Sequence, residues 1–144
     1  MEPTIHASAV LLGHRGILIR GPSGSGKSHL AWSLLHSTDL GFARLVGDDR
    51  IHLEPAHGRL LMRPAKALEG LIEVRGVGIV RLPYEPVAVV SLVVDLGTAG
   101  ALRLPQETDL ATEVRGISLA RLPVAPGVDE GSKIFAFLAA NSGI

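Results

Sequence analysis

The chain reads Gly21-Pro22-Ser23-Gly24-Ser25-Gly26-Lys27-Ser28 near its start, an unbroken match to the phosphate-binding pattern G-x-x-x-x-G-K-S. Gly21, Gly24 and Gly26 are expected to give the backbone the φ values that let successive N–H groups point at phosphate oxygens. Lys27 brings a positive charge to the outer phosphates, and the Ser28 hydroxyl is placed to bind Mg²⁺. The whole stretch 21–28 therefore predicts a site for the phosphates of a nucleotide.

The residues on either side of this loop have the order that the motif requires. Gly16 to Arg20 form a short apolar run typical of a β-strand, and Ser28 to Leu35 carry the spacing of a helix. A helix that begins at the loop adds its dipole to an anion site. A glycine-rich turn that matched the pattern by chance would lack this strand–loop–helix context.

Length and composition favour one globular domain, residues 1–144, with 47% hydrophobic and 19% charged residues. Fourteen basic and fourteen acidic side chains cancel, and only five residues are aromatic, so neither nucleic acid nor an anionic membrane is expected as a partner. The absence of cysteine excludes disulfides and thiolate metal sites. The N-terminus does not resemble a signal peptide, and the longest apolar stretch, Val87 to Val94, is too short to span a bilayer. A cytoplasmic protein is expected.

The pattern of apolar residues predicts an α/β fold with a mixed sheet flanked by helices. Two hairpins are predicted, one from Ile5–Leu12 and Gly16–Arg20 and the other from Ile51–Leu53 and Arg59–Met62. Three single strands are also predicted: Phe42–Val46, Val77–Arg81 and Val87–Leu96. Besides the helix after the loop, helical spacing predicts helices over Gln106–Val114 and Lys133–Ala140.

Asp48 and Asp49 follow the predicted strand Phe42–Val46. A protein with this loop needs an acidic residue beside Mg²⁺ at the end of a neighbouring strand. Adjacent residues of a strand point in opposite directions, so one carboxylate can face the metal and the other an acceptor hydroxyl. The alternative is a solvated turn, since Gly-Asp-Asp also suits turns.

Four further segments occur in a fixed order around the loop. They are Thr4-Ile5-His6; Val46-Gly47-Asp48-Asp49-Arg50; Leu71-Ile72-Glu73-Val74-Arg75-Gly76-Val77-Gly78-Ile79-Val80; and Pro123-Val124-Ala125-Pro126-Gly127. They are similar to a histidine-bearing strand, a V-A-D-D-x segment, the signature L-E-I-R-G-L-G-I and a V-R-P-G-R-N segment of one family. Because it has these four segments and the loop, the chain resembles HPr kinase/phosphorylase. The resemblance is to the short proteobacterial form, which has the catalytic domain alone.

The resemblance implies a fold like the HPr kinase C-terminal domain and PEP carboxykinase, and a phosphotransferase that uses ATP and Mg²⁺. Its partner would be the phosphocarrier protein HPr, phosphorylated on serine, with reverse phosphorolysis by inorganic phosphate to give pyrophosphate. The role in the cell would be regulation of carbohydrate metabolism and of the phosphotransferase system. A homo-oligomer, a hexamer in this family, is also implied.

The resemblance also assigns roles to individual residues. It implies that Asp48 takes the proton from the acceptor serine, that His6 supports that aspartate or the phosphate, and that Lys27 holds the transferring group. Ser28, Glu73 and Asp49 are the implied metal-side residues. Arg75, beside Glu73, belongs to the implied catalytic set. Without the resemblance, His6 would read as a core histidine and Glu73 with Arg75 as a surface ion pair.

The sequence departs from the family in three places. The segment Val80–Val87 is shorter, and Arg81 is the nearest candidate for the family's catalytic arginine. Ala125 and Val128 stand where V-R-P-G-R-N has its two arginines. The end of the chain after Ala140 is short. Because reverse transfer brings two anions together, the lost arginines predict weak phosphorolysis unless Arg81, Arg121 or another subunit compensates.

Two other classes of function stay open. A small-molecule P-loop kinase would need an arginine-bearing lid, but the segment Gly97–Arg121 has only Arg103, Arg115 and Arg121. A regulator that binds ATP or phosphate without turnover would tolerate the missing arginines.

Overall fold

The computed structural model describes residues 3–37, 41–97, 106–125 and 130–141. Within these ranges the chain forms ten β-strands and two α-helices. In chain order they are β1 (Thr4–Leu12), β2 (Arg15–Arg20), α1 (Lys27–Leu35), β3 (Ala43–Gly47), β4 (Arg50–Ala56), β5 (Arg59–Pro64), β6 (Leu71–Val74), β7 (Gly78–Arg81), β8 (Ala88–Leu96), β9 (Ala111–Val114), β10 (Ile117–Val124) and α2 (Glu130–Ala140). Short 3-10 turns span Lys66–Leu68 and Glu107–Leu110.

The strands form a mixed sheet in which β2, β1, β4, β5 and β8 pair in a closed ring. β1 pairs antiparallel with β2 on one side and with β3 and β4 on the other. β4 pairs with β5, and β5 with β8, both antiparallel, while β8 pairs in parallel with β2 and with β10. Strands β6 and β7 form a separate two-stranded sheet. The predicted α/β class with a mixed sheet is confirmed.

Two apolar cores lie on opposite faces of this sheet, because neighbouring residues of a strand point to opposite sides. On β2, Ile17 and Ile19 belong to one core and Leu18 to the other. The first core includes the buried apolar residues of α1 and of α2. The second lies among β1, β2, β4, β5 and β8, the strands whose pairings form the ring.

The direction of β1 brings the site together. Since β1 is antiparallel to both β2 and β3, the carboxyl ends of β2 and β3 lie on either side of the start of β1. The register pairs Ala7 with Arg20 and Ala9 with Gly47. The loop after β2, the aspartates after β3 and the first residues of β1 therefore meet at one edge of the sheet.

Most predicted elements are confirmed, but the helix predicted over Gln106–Val114 is wrong. Glu107–Leu110 forms a single 3-10 turn, and Ala111–Val114 is strand β9. Exposure alternates along β9, and the hairpin to β10 turns at Arg115 and Gly116, with φ of 52° and 81°. Two consecutive residues with positive φ form a tight hairpin turn that matches the twist of paired strands. This turn pairs Ala111–Val114 with β10, and the segment is therefore a strand. Strands β6 and β10 were not predicted.

Candidate active site

The predicted phosphate-binding loop joins β2 directly to α1, in the expected order of elements. Gly24 and Gly26 have φ of 79° and 95°, the left-handed region that favours glycine. Gly21 is glycine for another reason: a Cβ there would lie 2.6 Å from the Ser25 hydroxyl oxygen and 3.0 Å from the Leu96 carbonyl oxygen. The prediction that all three glycines provide unusual φ values therefore holds for two of them, and Gly21 provides space.

Lys27 is the first residue of helix α1, and its side chain folds back over the loop. Its ammonium donates to the carbonyl oxygens of Gly21 at 2.9 Å and Pro22 at 3.1 Å, and the residue is 6% exposed. Burial lowers the pKa of Lys27 below its ordinary value, although Asp48 and Asp49 oppose this shift. The fold thus holds a partly desolvated cation at the start of a helix, where an anion would be favoured.

The Asp48 carboxylate accepts hydrogen bonds from three different residues. The Ser28 hydroxyl lies 2.8 and 2.9 Å from its two carboxylate oxygens, and the Ser8 hydroxyl donates at 2.5 Å. The backbone N–H of Glu73 adds a longer contact of 3.3 Å. Asp48 is 4% exposed, so these donors replace the water that the charge loses. Sequence reasoning missed Ser8, whose only signal is a hydroxyl within an apolar strand.

Asp49 has a different partner from Asp48. Its φ is 71°, and its carboxylate contacts the His6 imidazole at 3.0 Å. The Asp49 side chain is 60% exposed and that of His6 39%. Both aspartates follow the end of β3, so the alternation of a strand does not set their directions. They nevertheless differ in partner and exposure, and His6 stands beside Asp49 rather than Asp48.

Glu73 and Arg75 reach the site from the β6–β7 hairpin. Both residues are exposed and line the same cleft as the loop. Two apolar residues of this hairpin, Val77 and Ile79, are 74% and 65% exposed. Arg81, at the end of β7, is exposed but is not among the described residues that line the cleft.

The cleft has a volume of about 1250 Å³, above the usual range of about 300–1000 Å³ for a small-molecule site. It is therefore large enough for a small-molecule ligand the size of a nucleotide. The following residues line it: His6, Ser8, Ser23 to Leu30, Trp32, Ser33, Ser37, Asp49, Glu73, Val74, Arg75, Glu130 to Ser132 and Phe135.

The described residues contain no group of three or more histidine or acidic side chains that could hold a metal alone. The donor set suits Mg²⁺ nonetheless, because this ion is usually held by one or two carboxylates together with substrate phosphates. Ser28, in the first turn of α1, contacts Asp48, which follows β3. Ser28, Asp49 and Glu73 all line the cleft. The residues present therefore fit a magnesium site completed by a nucleotide.

A second ionic cluster joins three neighbouring strands, β2, β8 and β10. Asp95 receives hydrogen bonds from Arg20 at 2.8 and 2.9 Å and from Arg121 at 2.5 Å. Burial alone would raise the pKa of Asp95, but the two guanidinium groups outweigh it and hold that pKa below its ordinary value. Arg121 also donates to the Asp109 carbonyl oxygen at 2.9 Å. It is thus committed to a structural contact, which weakens the suggestion that it compensates for the lost arginines.

The segment similar to V-R-P-G-R-N is described only in part. Residues 123–125 end β10 and follow it, whereas Val128 lies outside the described residues. Among the described residues, no helix has the length and apolar character needed to cross a membrane.

Comparison with known families matches residues 1–84, more than half of the chain, to the HPr Serine kinase C-terminal domain. The chain belongs to this family. The match includes the loop, both aspartates and the signature hairpin with Glu73 and Arg75.

Curated relatives agree with the family, and a solved structure shares the fold. The chain is 39% identical over 79 residues to HPr kinase/phosphorylase of Clostridium beijerinckii and 35% identical over 101 residues to that of Clostridium tetani. These alignments cover 55% and 70% of this chain but only 25% and 31% of the relatives, so the chain spans less than a third of their length. The HPr(Ser) kinase/phosphatase of Coxiella burnetii shares the fold, with a TM-score of 0.79 at 23% identity over 98% of this chain and 97% of that one.

Proposed function

We propose that this chain is a P-loop phosphotransferase that moves the γ-phosphoryl group of ATP to a serine hydroxyl of an HPr-type phosphocarrier protein. The observation that carries the proposal is the contact between Ser28, at the start of α1, and the buried carboxylate of Asp48. It joins the phosphate-binding loop to an acidic group of the kind that phosphoryl transfer needs. Family membership and the names of the curated relatives support the substrate.

The residues of the cleft have separate tasks in this reaction. The loop amides and Lys27 hold the phosphates, and Mg²⁺, when bound beside Ser28, would neutralise charge on the β- and γ-phosphates. Asp48 already accepts hydrogen bonds from two serine hydroxyls, those of Ser8 and Ser28, and both serines line the cleft. An acceptor serine would be oriented in the same way.

In the transfer, the serine oxygen forms a bond to the γ-phosphorus as the bond to the ADP oxygen breaks, and the serine proton passes to Asp48. His6 and Asp49 form the exposed pair next to this point, where they would meet the approaching substrate. Arg75 brings positive charge to the same cleft from the hairpin and belongs to the proposed catalytic set. Glu73 and Asp49 are the proposed additional groups on the metal side.

The remaining features of the family are part of the proposal. They comprise the likeness to PEP carboxykinase, ATP and Mg²⁺ as cofactors, phosphorolysis to pyrophosphate, a hexameric homo-oligomer, a cytoplasmic location and the regulation of carbohydrate metabolism and of the phosphotransferase system. Weak phosphorolysis is expected from Ala125 and Val128.

The test compares three classes of acceptor under single-turnover conditions with labelled ATP. Transfer of label to HPr, and not to nucleosides or nucleotides, supports the proposal. Transfer to a small molecule supports a small-molecule kinase, and binding of ATP without transfer supports a sensor.

A further inference from the structure

The cleft extends beyond the phosphate-binding loop along helix α1. On the α1 side its wall continues through His29, Trp32, Ser33 and Ser37. On the other side it is formed by the first residues of α2 and by Phe135. No residue of this outer half has a role in the phosphoryl transfer described above.

The position of Trp32 along the helix is informative. His29, the first residue after the loop motif, and Trp32 are three residues apart, so they share a face of α1 and lie about 4.5 Å apart along its axis. The loop and Lys27 hold the phosphates at the start of the same helix. The sugar carries the base of a nucleotide away from its phosphates, and the next turn of α1 is one of the surfaces it would reach.

The Trp32 ring is held in place from one side. It stacks on the His36 ring with 4.0 Å between centroids and 32° between planes. His36 is itself fixed, because its Nδ1 lies 2.8 Å from the Trp32 carbonyl oxygen one turn back. The indole is also partly buried against the first core, so it forms a fixed wall of the cleft.

Phe135 gives the cleft a second aromatic residue, from α2. Packing in the core explains why Trp32 and Phe135 are apolar, since both contact the first core. It does not explain why two of only five aromatic residues in the chain line the cleft that holds the phosphate-binding loop. Aromatic rings bind nucleobases by stacking and accept every base because each has a π face.

We infer that Trp32 and Phe135 form a base-binding subsite, with the Trp32 ring as the stacking surface for the purine of the nucleotide. The inference rests on the proposed function, because it takes the loop to hold the phosphates of that nucleotide. It adds a recognition element for the base, which the loop motif does not supply.

Trp32 is the single tryptophan of the chain, so its fluorescence reports directly on this subsite. The unmodified protein is titrated with ADP and, separately, with inorganic tripolyphosphate, both with Mg²⁺, and binding is measured in parallel by calorimetry. ADP is expected to change the tryptophan emission, whereas tripolyphosphate, which has no base, binds without that change.

A substitution gives a second measurement. Trp32→Leu should weaken ADP binding by about 5- to 100-fold and leave the affinity for tripolyphosphate unchanged. Phe42→Leu is the matched control, because Phe42 is 42% exposed and is not among the described residues of the cleft wall. Should Trp32→Leu fail to fold, as judged by circular dichroism, the titration of the unmodified protein still decides the question.

The outcomes separate the subsite from the proposed function. Equal affinities for ADP and tripolyphosphate, with no change in emission on ADP binding, would overturn the subsite and leave the phosphotransferase proposal standing. Failure of both ligands to bind would overturn the two together.

Discussion

The hydroxyl of Ser28 lies within 2.9 Å of both carboxylate oxygens of Asp48, although the two residues are 20 positions apart in the chain. One belongs to the first turn of α1, and the other follows β3. Their contact exists because β2 and β3 both run antiparallel to β1 and end at the same edge of the sheet. The fold itself therefore joins the predicted phosphate-binding loop to an acidic group.

Replacing Lys27 should separate activity from stability. Lys27→Met removes the charge that is proposed to face the phosphates, so transfer should fall by at least about 10²–10³-fold. Because burial lowers the pKa of Lys27, folding disfavours its charged form, and stability rises with pH between the lowered folded pKa and the ordinary value of 10.5. The variant should thus melt at the same temperature as the unmodified protein, or higher, near pH 7. A clear drop in melting temperature would show that Lys27 is mainly structural.

The two aspartates should behave differently when each is changed to asparagine. Asp48→Asn keeps the shape of the side chain but cannot accept the serine proton, so turnover should fall by about 10²–10⁴-fold. Nucleotide binding, measured by calorimetry, should survive. Asp49→Asn is the matched control from the adjacent position, which contacts His6 instead of Ser28. Equal losses of ATP affinity for the two variants, with no selective loss of turnover for Asp48→Asn, would mean that both carboxylates only serve the metal.

The cluster around Asp95 should govern stability in acid. Asp95→Asn leaves Arg20 and Arg121 without their shared carboxylate, and a loss of up to about 3 kcal/mol in the free energy of unfolding is expected near pH 7. Because the folded pKa of Asp95 is lowered, its contribution is complete above the ordinary value of 3.8 and is lost as pH falls through the lower folded value. The measurement is denaturant unfolding from pH 7 down to pH 2.

The matched control for Asp95 is Glu54→Gln, which breaks the exposed Glu54–Arg63 pair. Surface pairs contribute about 0–1 kcal/mol, so this variant should stay close to the unmodified protein. Equal effects of the two substitutions would contradict the importance assigned to the buried cluster.

The balance between the two directions of transfer should depend on Val128. Reverse transfer brings inorganic phosphate to a phosphoserine that is close to doubly charged, and it needs extra positive charge. Val128→Arg should therefore raise the rate of pyrophosphate release from phosphorylated HPr more than the forward rate. Brisk release by the unmodified protein, insensitive to this substitution, would count against the prediction.

The parts of the site that lie within one short segment could be predicted from the sequence. The contacts between distant segments, which depend on the register of paired strands, could not. The loop, the helix after it and the acidic residues after β3 are each encoded in a few consecutive residues. Ser8 reaches Asp48 across 40 positions, and Arg20 reaches Asp95 across 75, so both contacts depend on strand pairings that no short pattern specifies.

The error over Gln106–Val114 has a similar origin. Its apolar spacing suits a helix, but the turn at Arg115 and Gly116 pairs β9 with β10, and this pairing fixes Ala111–Val114 as a strand. Tertiary pairing outweighs helix propensity in such a short segment.

The most direct test of the account is the mass of HPr after incubation with this protein, ATP and Mg²⁺. The account predicts that HPr gains one phosphoryl group, located on a serine by fragmentation, and that the gain disappears with Lys27→Met. Consumption of ATP or binding of nucleotide with the mass of HPr unchanged would contradict it.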